Sequence, residues 1–305
     1  MIWLNKKLFF VVLLLLPITI FSFNFSKKKE QKKEEYPEVL AEQNKKQQTV
    51  ALIYNENSLT LPLEDYVVGV VAAEMPASFE LEALKAQAIA ARTYVLQYLE
   101  TNDKIGSTTA SQVYIDKNAM QAKWQTDFDK YFSKITKAVH STEGLVIKYN
   151  NKLIKSYYYA MSNGYTENSQ NVFNESIDYL VSVESKWDAN NEKEILLSKE
   201  EFCTKLALTC ENISITNIKR NESNRVTTLN INGQEFTGIA IRKLLNLRST
   251  DFYISVNENN ILIKTKGYGH GVGLSQYGAN NMAKLGYHYD EILKYYYQNT
   301  EITNL

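Results

Sequence analysis

Glu74 closes an otherwise apolar run, "DYVVGVVAAEMP", at residues 65–76. Leu63, Tyr66, Val67, Val70 and Val71 recur at three- and four-residue intervals, and the next member of that series is Glu74. This spacing predicts a helix. The valines favour a strand, but period-two alternation is absent. The acid then sits on the buried face near the helix C-terminus, where desolvation and the macrodipole both disfavour its charged form. A carboxyl in that position can hold a proton near neutral pH and donate it. The alternative is structural. Lys85 and Arg92 lie on one edge of a following helix whose apolar stripe is Leu81, Leu84, Ala88, Ala91 and Val95. An ion pair from either to Glu74 would hold a helical hairpin. Pro76 is expected to stop the first helix. Ser78 is placed to cap the second, with Glu80 and Glu82 in its first turn.

The second concentration of special residues is "GYGHGVGLSQYGAN" at 267–280. Its alternating glycines suggest a dinucleotide turn, but no strand–helix–strand unit follows before the chain ends, and no phosphate-loop Lys is present. What remains is a loop of close approach feeding a helix at Leu274. His270 projects from the loop, and Ser275 and Gln276 stand in the first helical turn. Backbone N–H groups with Ser, Gln and His suit a hydroxyl-rich ligand, and the same residues also suit a packed turn with His270 in the core. His140, His270 and His288 have no metal-ligand spacing.

The elements that position these residues fit a globular body. Hydrophobic residues make up 44% and charged residues 22%, and Lys+Arg equals Asp+Glu at 34 each. That balance does not suit a nucleic-acid binder. The 21 tyrosines against 3 tryptophans are compatible with a sugar groove, though tyrosine also serves cores and sheet faces. Residues 8–25, "LFFVVLLLLPITIFSFNF", just span a bilayer core of roughly 30 Å at about 1.5 Å per residue. No small-residue cleavage site follows, so residues 1–25 are expected to be a retained membrane anchor. Residues 26–48 read as a charged, flexible tether. Its lysines alone would put the body in the cytoplasm, although a long domain overrides that bias.

The body, 49–305, is expected to be α+β: a mixed helix and sheet core, a smaller α+β insertion at 193–265, and a substrate groove between them. A short strand is expected around Gln112–Ile115. A hairpin is expected from "LVIKY" (145–149) and "LIKSYYYA" (153–160), separated by "NNK". The chain closes on a helical pair. Cys203 and Cys210 would be about 10 Å apart on an unbroken helix, so a disulfide between them requires a break near Leu208.

"LEDYVVGVVAAEMPASFELEALKAQAIAARTYVL", "SQVY" at 111–114, "SNGYTEN" at 162–168 and "GYGHGVGLSQYGANNMAKLGYHYDEILKYYY" resemble the SpoIID/LytB family. The likeness runs from about residue 50 to the end. It implies a membrane-anchored lytic transglycosylase. Such an enzyme cuts peptide-free (denuded) glycan strands of peptidoglycan during forespore engulfment, outside the cytoplasmic membrane. The implied partners are the amidase stage II sporulation protein P and the membrane protein stage II sporulation protein M. The acid of A-A-E-M-P, here Glu74, takes the catalytic role. Lys85 and Arg92 would orient it or hold substrate, and Gln112, Tyr114, His270, Ser275 and Gln276 would line the groove. No cofactor is implied. A clostridial relative holds zinc through Cys and His near the S-x-G-x-T-E loop. Here "YYYAMSNGYTE" offers Tyr, Met and Asn, so no such zinc is expected. LytB-type members instead modify a separate cell-wall amidase, which leaves open a groove that binds glycan without cutting it. An anchored scaffold is a third reading.

Overall fold

A computed structural model describes residues 48–188 and 191–305. The predicted anchor and nearly all of the tether lie outside the described residues. Among the described residues no helix is long and apolar enough to cross a membrane.

The body is mixed α+β. Strands β1 (Thr49–Tyr54) and β2 (Asn57–Pro62) form an antiparallel hairpin, and β3 (Ile105–Gly106) adds to β1 in parallel. Helix α1 (Leu63–Glu74) forms as its spacing predicts, burying Leu63, Tyr66, Val67, Val70 and Val71. It ends one residue before the Pro76 peptide. Helix α2 begins later than expected, at Leu81, and runs to Leu99. A turn closed by the Phe79 N–H on the Pro76 carbonyl occupies the position where Ser78 would have capped. Glu80 is the N-cap instead, and its N–H is taken by the Asn280 side chain at 2.8 Å.

Helix α2 is buried on more than the one predicted stripe. Leu84, Ala88, Ala91 and Val95 belong to a core shared with α1, β1 and α4 (Phe128–His140). Ala83, Ala86, Ile89 and Ala90 belong to a second core built from the C-terminal helices. The alanines allow close approach on both sides. Between α2 and α4, α3 (Lys117–Trp124) is capped by Asp116, whose side chain accepts the Ala119 N–H at 2.7 Å.

The predicted hairpin forms as β4 (Leu145–Tyr149) and β5 (Lys152–Leu153), with Asn150 and Asn151 both at positive φ in the turn. Its second strand is shorter than expected. The chain leaves it, and Tyr158–Tyr159 (β6) pairs in parallel with Leu274–Ser275 (β13). One short helix, α5 (Gln170–Phe173), follows β6.

Residues 192–266 carry their own hydrophobic cluster, centred on Phe202, Leu229, Ile241, Phe252, Ile261 and Ile263. β7 (Glu192–Ser198) pairs with β12 (Asn260–Lys266), which also pairs with β11 (Asp251–Val256), so the segment closes on itself. A second sheet holds β8 (Ile215–Arg220), β9 (Val226–Ile231) and β10 (Gln234–Thr237). Helices α6 (Lys199–Leu206) and α7 (Gly238–Leu244) cover the cluster. Helix α6 stops at Ala207, which is left-handed, and the break brings the Cys203 and Cys210 Cα atoms to 5.8 Å in a disulfide. The chain ends with α8 (Gln276–Lys284), α9 (Tyr289–Tyr296) and β14 (Glu301–Asn304), the last paired with β4.

Candidate active site

Glu74 is the last residue of α1 and lines a cleft of about 600 Å³. Facing it are Tyr94, the 109–111 segment, Tyr157, Tyr158, Tyr159, Phe173, Arg242, Tyr268, His270 and Gln276. Among these residues Glu74 is the sole carboxylic acid.

Its surroundings favour the protonated form. Burial pushes the Glu74 carboxyl above its ordinary value. Opposing this are the Val113 N–H, which donates to Oε1 at 2.9 Å, the Tyr158 hydroxyl, the Lys123 charge and the Gln276 side chain. Burial is the largest of these effects and the net shift is upward. Lys123 does not pair with the acid. Its Nζ donates to the Ala72 carbonyl at 2.9 Å, satisfying an orphan oxygen at the end of α1.

The segment around Gln112 alternates in burial, as its sequence predicts, but it is not a strand. Its backbone serves α1 instead: Val113 N–H goes to Glu74, and Ile115 N–H to the Gly69 carbonyl at 3.4 Å. Gln112 lies behind the cleft rather than in it. It accepts the Tyr66 hydroxyl at 3.0 Å and donates to the Tyr158 hydroxyl at 3.1 Å and to the Ala91 carbonyl at 3.2 Å. Gln112 uses the Tyr158 oxygen only as an acceptor, which leaves the Tyr158 proton available to Glu74. Tyr114 is likewise behind the site. It stacks on Tyr66 with centroids 5.7 Å apart. A Cβ at Gly69 would stand 2.1 Å from its ring, so only glycine lets it pack on α1.

The structure places the two cations elsewhere. Arg92 is fully buried and forks onto Glu64, with Nε to Oε1 at 2.8 Å, and onto the Leu145 and Val139 carbonyls. It stands eleven residues along α2, about 16 Å from that helix's start, and so meets the beginning of α1 rather than its end. Lys85 pairs with Glu82 at 2.7 Å, and Glu82 also accepts the Tyr289 N–H at 3.1 Å, which docks α9. The ion pair to Glu74 that the sequence left open does not form.

The glycine-rich loop runs along the three tyrosines. Gly273, at φ +78, lies where a Cβ would be 2.1 Å from the Tyr157 carbonyl, which explains one of its glycines by contact rather than by phosphate. His270 lines the cleft. The Val272 N–H donates to its Nδ1 at 3.1 Å, and burial and then the Arg242 charge push its pKa down to about 4. It is a neutral imidazole at neutral pH. Gln276 lines the cleft and donates to Gln87 at 3.3 Å. Ser275 does not line it. It is the N-cap of α8, which therefore begins at Gln276, and its hydroxyl is given to Asp188.

Of the eight residues singled out from the sequence, Glu74, His270 and Gln276 meet in the cleft, while Lys85, Arg92, Gln112, Tyr114 and Ser275 lie outside it. Sequence reasoning missed Tyr157, Tyr158 and Tyr159, Tyr94, Tyr268 and Arg242. The Tyr-Tyr-Tyr run was the one available signal. A lone Arg in α7 gives none.

Against known proteins, the family profile described as SpoIID, stage II sporulation protein, matches residues 55–149. Over 262 residues the chain is 42% identical to stage II sporulation protein D of Bacillus subtilis (strain 168), covering 82% of this chain and 76% of that protein. The Bacillus amyloliquefaciens counterpart is 40% identical over the same shares. An amidase enhancer of Bacillus subtilis (strain 168) is 31% identical over 295 residues, covering 77% of this chain and 40% of that longer protein.

Proposed function

For a chain that belongs to the stage II sporulation protein D family, we propose the activity of a lytic transglycosylase. It would cleave denuded peptidoglycan strands and leave 1,6-anhydromuramyl ends during forespore engulfment. The observation that carries this reading is a single acid, held toward its protonated form, in a cleft otherwise lined by tyrosines.

The chemistry needs one such group. Glu74 gives its proton to the glycosidic oxygen as the bond from C1 of the muramyl sugar breaks, and the leaving sugar departs as an alcohol. The resulting carboxylate takes the proton of that muramyl unit's own 6-hydroxyl, and the freed oxygen closes on C1. The proton count is restored and no water is consumed. A hydrolase would instead use a second carboxylate to activate water or to form a covalent intermediate. The Val113 N–H and Tyr158 hydroxyl steady Glu74 in its charged interval. Tyr94, Tyr157 and Tyr268 offer faces and hydroxyls to sugar rings.

The same reading places the body outside the cytoplasmic membrane, held there by residues 1–25. The Cys203–Cys210 disulfide supports that side, since such bonds persist in oxidising surroundings. The amidase stage II sporulation protein P, which would supply denuded strands, and stage II sporulation protein M are the partners in this reading.

The likeness to an amidase enhancer favours one rival: a cleft that binds glycan and modifies a cell-wall amidase without cutting. Incubation of the full chain with denuded strands, followed by mass analysis, separates the two. Anhydromuramyl ends are expected. Intact strands in the presence of measurable binding would leave the rival standing.

A further inference from the structure

One carboxyl, Glu74, and one guanidinium, Arg242, line the cleft. Arg242 belongs to the last turn of α7, in the 192–266 segment, and reaches the cleft beside Tyr268 and His270. It is a poorly used cation. Its protein hydrogen bond runs from Nε to the Leu247 carbonyl at a long 3.4 Å. Burial, and then the Arg225 charge, lower its pKa, and no carboxylate among the described residues pairs with it.

Arg225 deepens the imbalance. It is almost fully buried, with both Nη atoms on the Tyr165 carbonyl at 3.3 Å and Nε without a partner among the described residues. Its Nη2 lies 2.5 Å from where a Cβ of Gly271 would be, directly behind the loop that carries His270. Arg248 stacks over the Tyr268 ring at 4.7 Å. Three arginines of one segment thus converge on residues 268–271. Glu167, whose N–H bonds the Gly271 carbonyl, does not offset them by pairing, because its carboxylate is already taken by four donors from Asn168, Asn171, Asn221 and Ser223.

A half-buried guanidinium backed by a second one favours a planar anion, and its two Nη groups, which bond no described residue, match a carboxylate fork. We propose that Arg242 reads a free carboxylate on the ligand. In the glycan reading above, on which this rests, that group is the lactyl carboxylate of muramic acid. Removal of the stem peptide exposes this carboxylate. With the peptide attached, the same carbon is an uncharged, bulky amide, which leaves Arg242 unpaired. Preference for denuded strands then comes from recognition of a charge as well as from room in the cleft.

The test uses the full chain in detergent, carrying Glu74→Gln to halt turnover. It is titrated with denuded strands and with the same strands whose lactyl carboxylates have been converted to methylamides. Amidation is expected to weaken binding about ten- to a hundredfold, the range for a hydrogen-bonded charge. Arg242→Gln added to this background should bind both strands alike, at the weaker level, and Arg242→Lys should recover part of the difference. Equal binding of the two strands by the parent chain overturns the assignment and leaves the glycan reading intact. Binding of neither strand by the parent chain removes the glycan reading, and the assignment falls with it. The comparison of strands is made with Arg242 unaltered, so it stands even where a substitution at that position unfolds the protein.

Discussion

Glu74 and Asp188 are both carboxylates drawn out of water, and they differ in how many donors meet them. Asp188 accepts four: the Ser162 N–H and hydroxyl, each at 2.7 Å, the Ser185 hydroxyl at 3.1 Å, and the Ser275 hydroxyl. It thereby ties the S-x-G-x-T-E loop to the start of α8. Glu74 has one close backbone donor, at 2.9 Å, with a hydroxyl and an amide turned toward it. Four donors fix the Asp188 side chain between two elements. Burial with thin support raises the Glu74 pKa instead. The same residue class thus makes a fastening in one place and, in the function proposed above, a proton source in the other, and the difference lies in its neighbours.

Removing the fastening should cost most. Asp188→Ala takes the acceptor from four buried donors. The Ser162 N–H and Ser275 hydroxyl then lack another partner among the described residues, while the Ser162 and Ser185 hydroxyls keep the Ser185 carbonyl and Tyr296. At about 1–3 kcal/mol for each orphan, a loss of at least about 3 kcal/mol of stability is expected in denaturant unfolding. A loss below about 1 kcal/mol would mean that the serines find water and that the contrast is one of degree.

Glu74→Gln should do the opposite. The amide still accepts from Val113 but cannot give and retake a proton, so cleavage of denuded strands should fall at least about a hundredfold. The melting temperature should stay within a few degrees of the parent. Near-normal cleavage would take Glu74 out of the mechanism.

The pH dependence sharpens the contrast further. The native state keeps the Glu74 proton at pH values where the unfolded chain, with an ordinary carboxyl near 4.5, has lost it. The stability this contributes is complete below that ordinary value and is lost as pH rises through the native pKa. Glu74→Gln should therefore gain on the parent as pH rises, when both are melted across a pH series. Cleavage by the parent should decline over the same rise. A parent that cleaved ever faster toward alkaline pH would require the charged form as the working one.

The smallest effect expected is none. Among the described residues no three His, Cys, Asp or Glu side chains converge on a metal position. Chelator treatment of the full chain should leave both melting and cleavage unchanged. A stoichiometric zinc whose loss abolished either would make a ligand of one of these acids or of His140 or His270.

Glu74 was legible because helical spacing is a local property: the stripe that buries Val67 and Val71 also carries the acid, and a strand reading would not. The hairpin at Asn150–Asn151 was legible for the same reason. What stayed hidden depends on contacts between distant residues. Arg92 shares an edge with Lys85 in sequence, but the hairpin's direction decides that it meets Glu64. Gln112 and Tyr114 carry polar groups in the right neighbourhood, yet Gly69 and Tyr66 draw them behind the cleft. Ser275 has the composition of a binding residue and is consumed as a cap. Arg242 comes from a segment with its own core, and no local pattern can report what a folded neighbour reaches.

The position of α2 between two cores has a consequence for a chain that is still being made. Its first turn is fixed by partners that arrive very late: the Glu80–Asn280 bond spans 200 residues and the Glu82–Tyr289 bond 207. Until that last stretch is synthesised, one alanine-rich side of α2 has nothing to cover it, and closing so long a loop is slow. His270 and Gln276 travel on the same stretch. Until residues 267–296 dock, Glu74 lacks the wall that His270 and Gln276 supply, so the cleft is completed in the same step that covers α2.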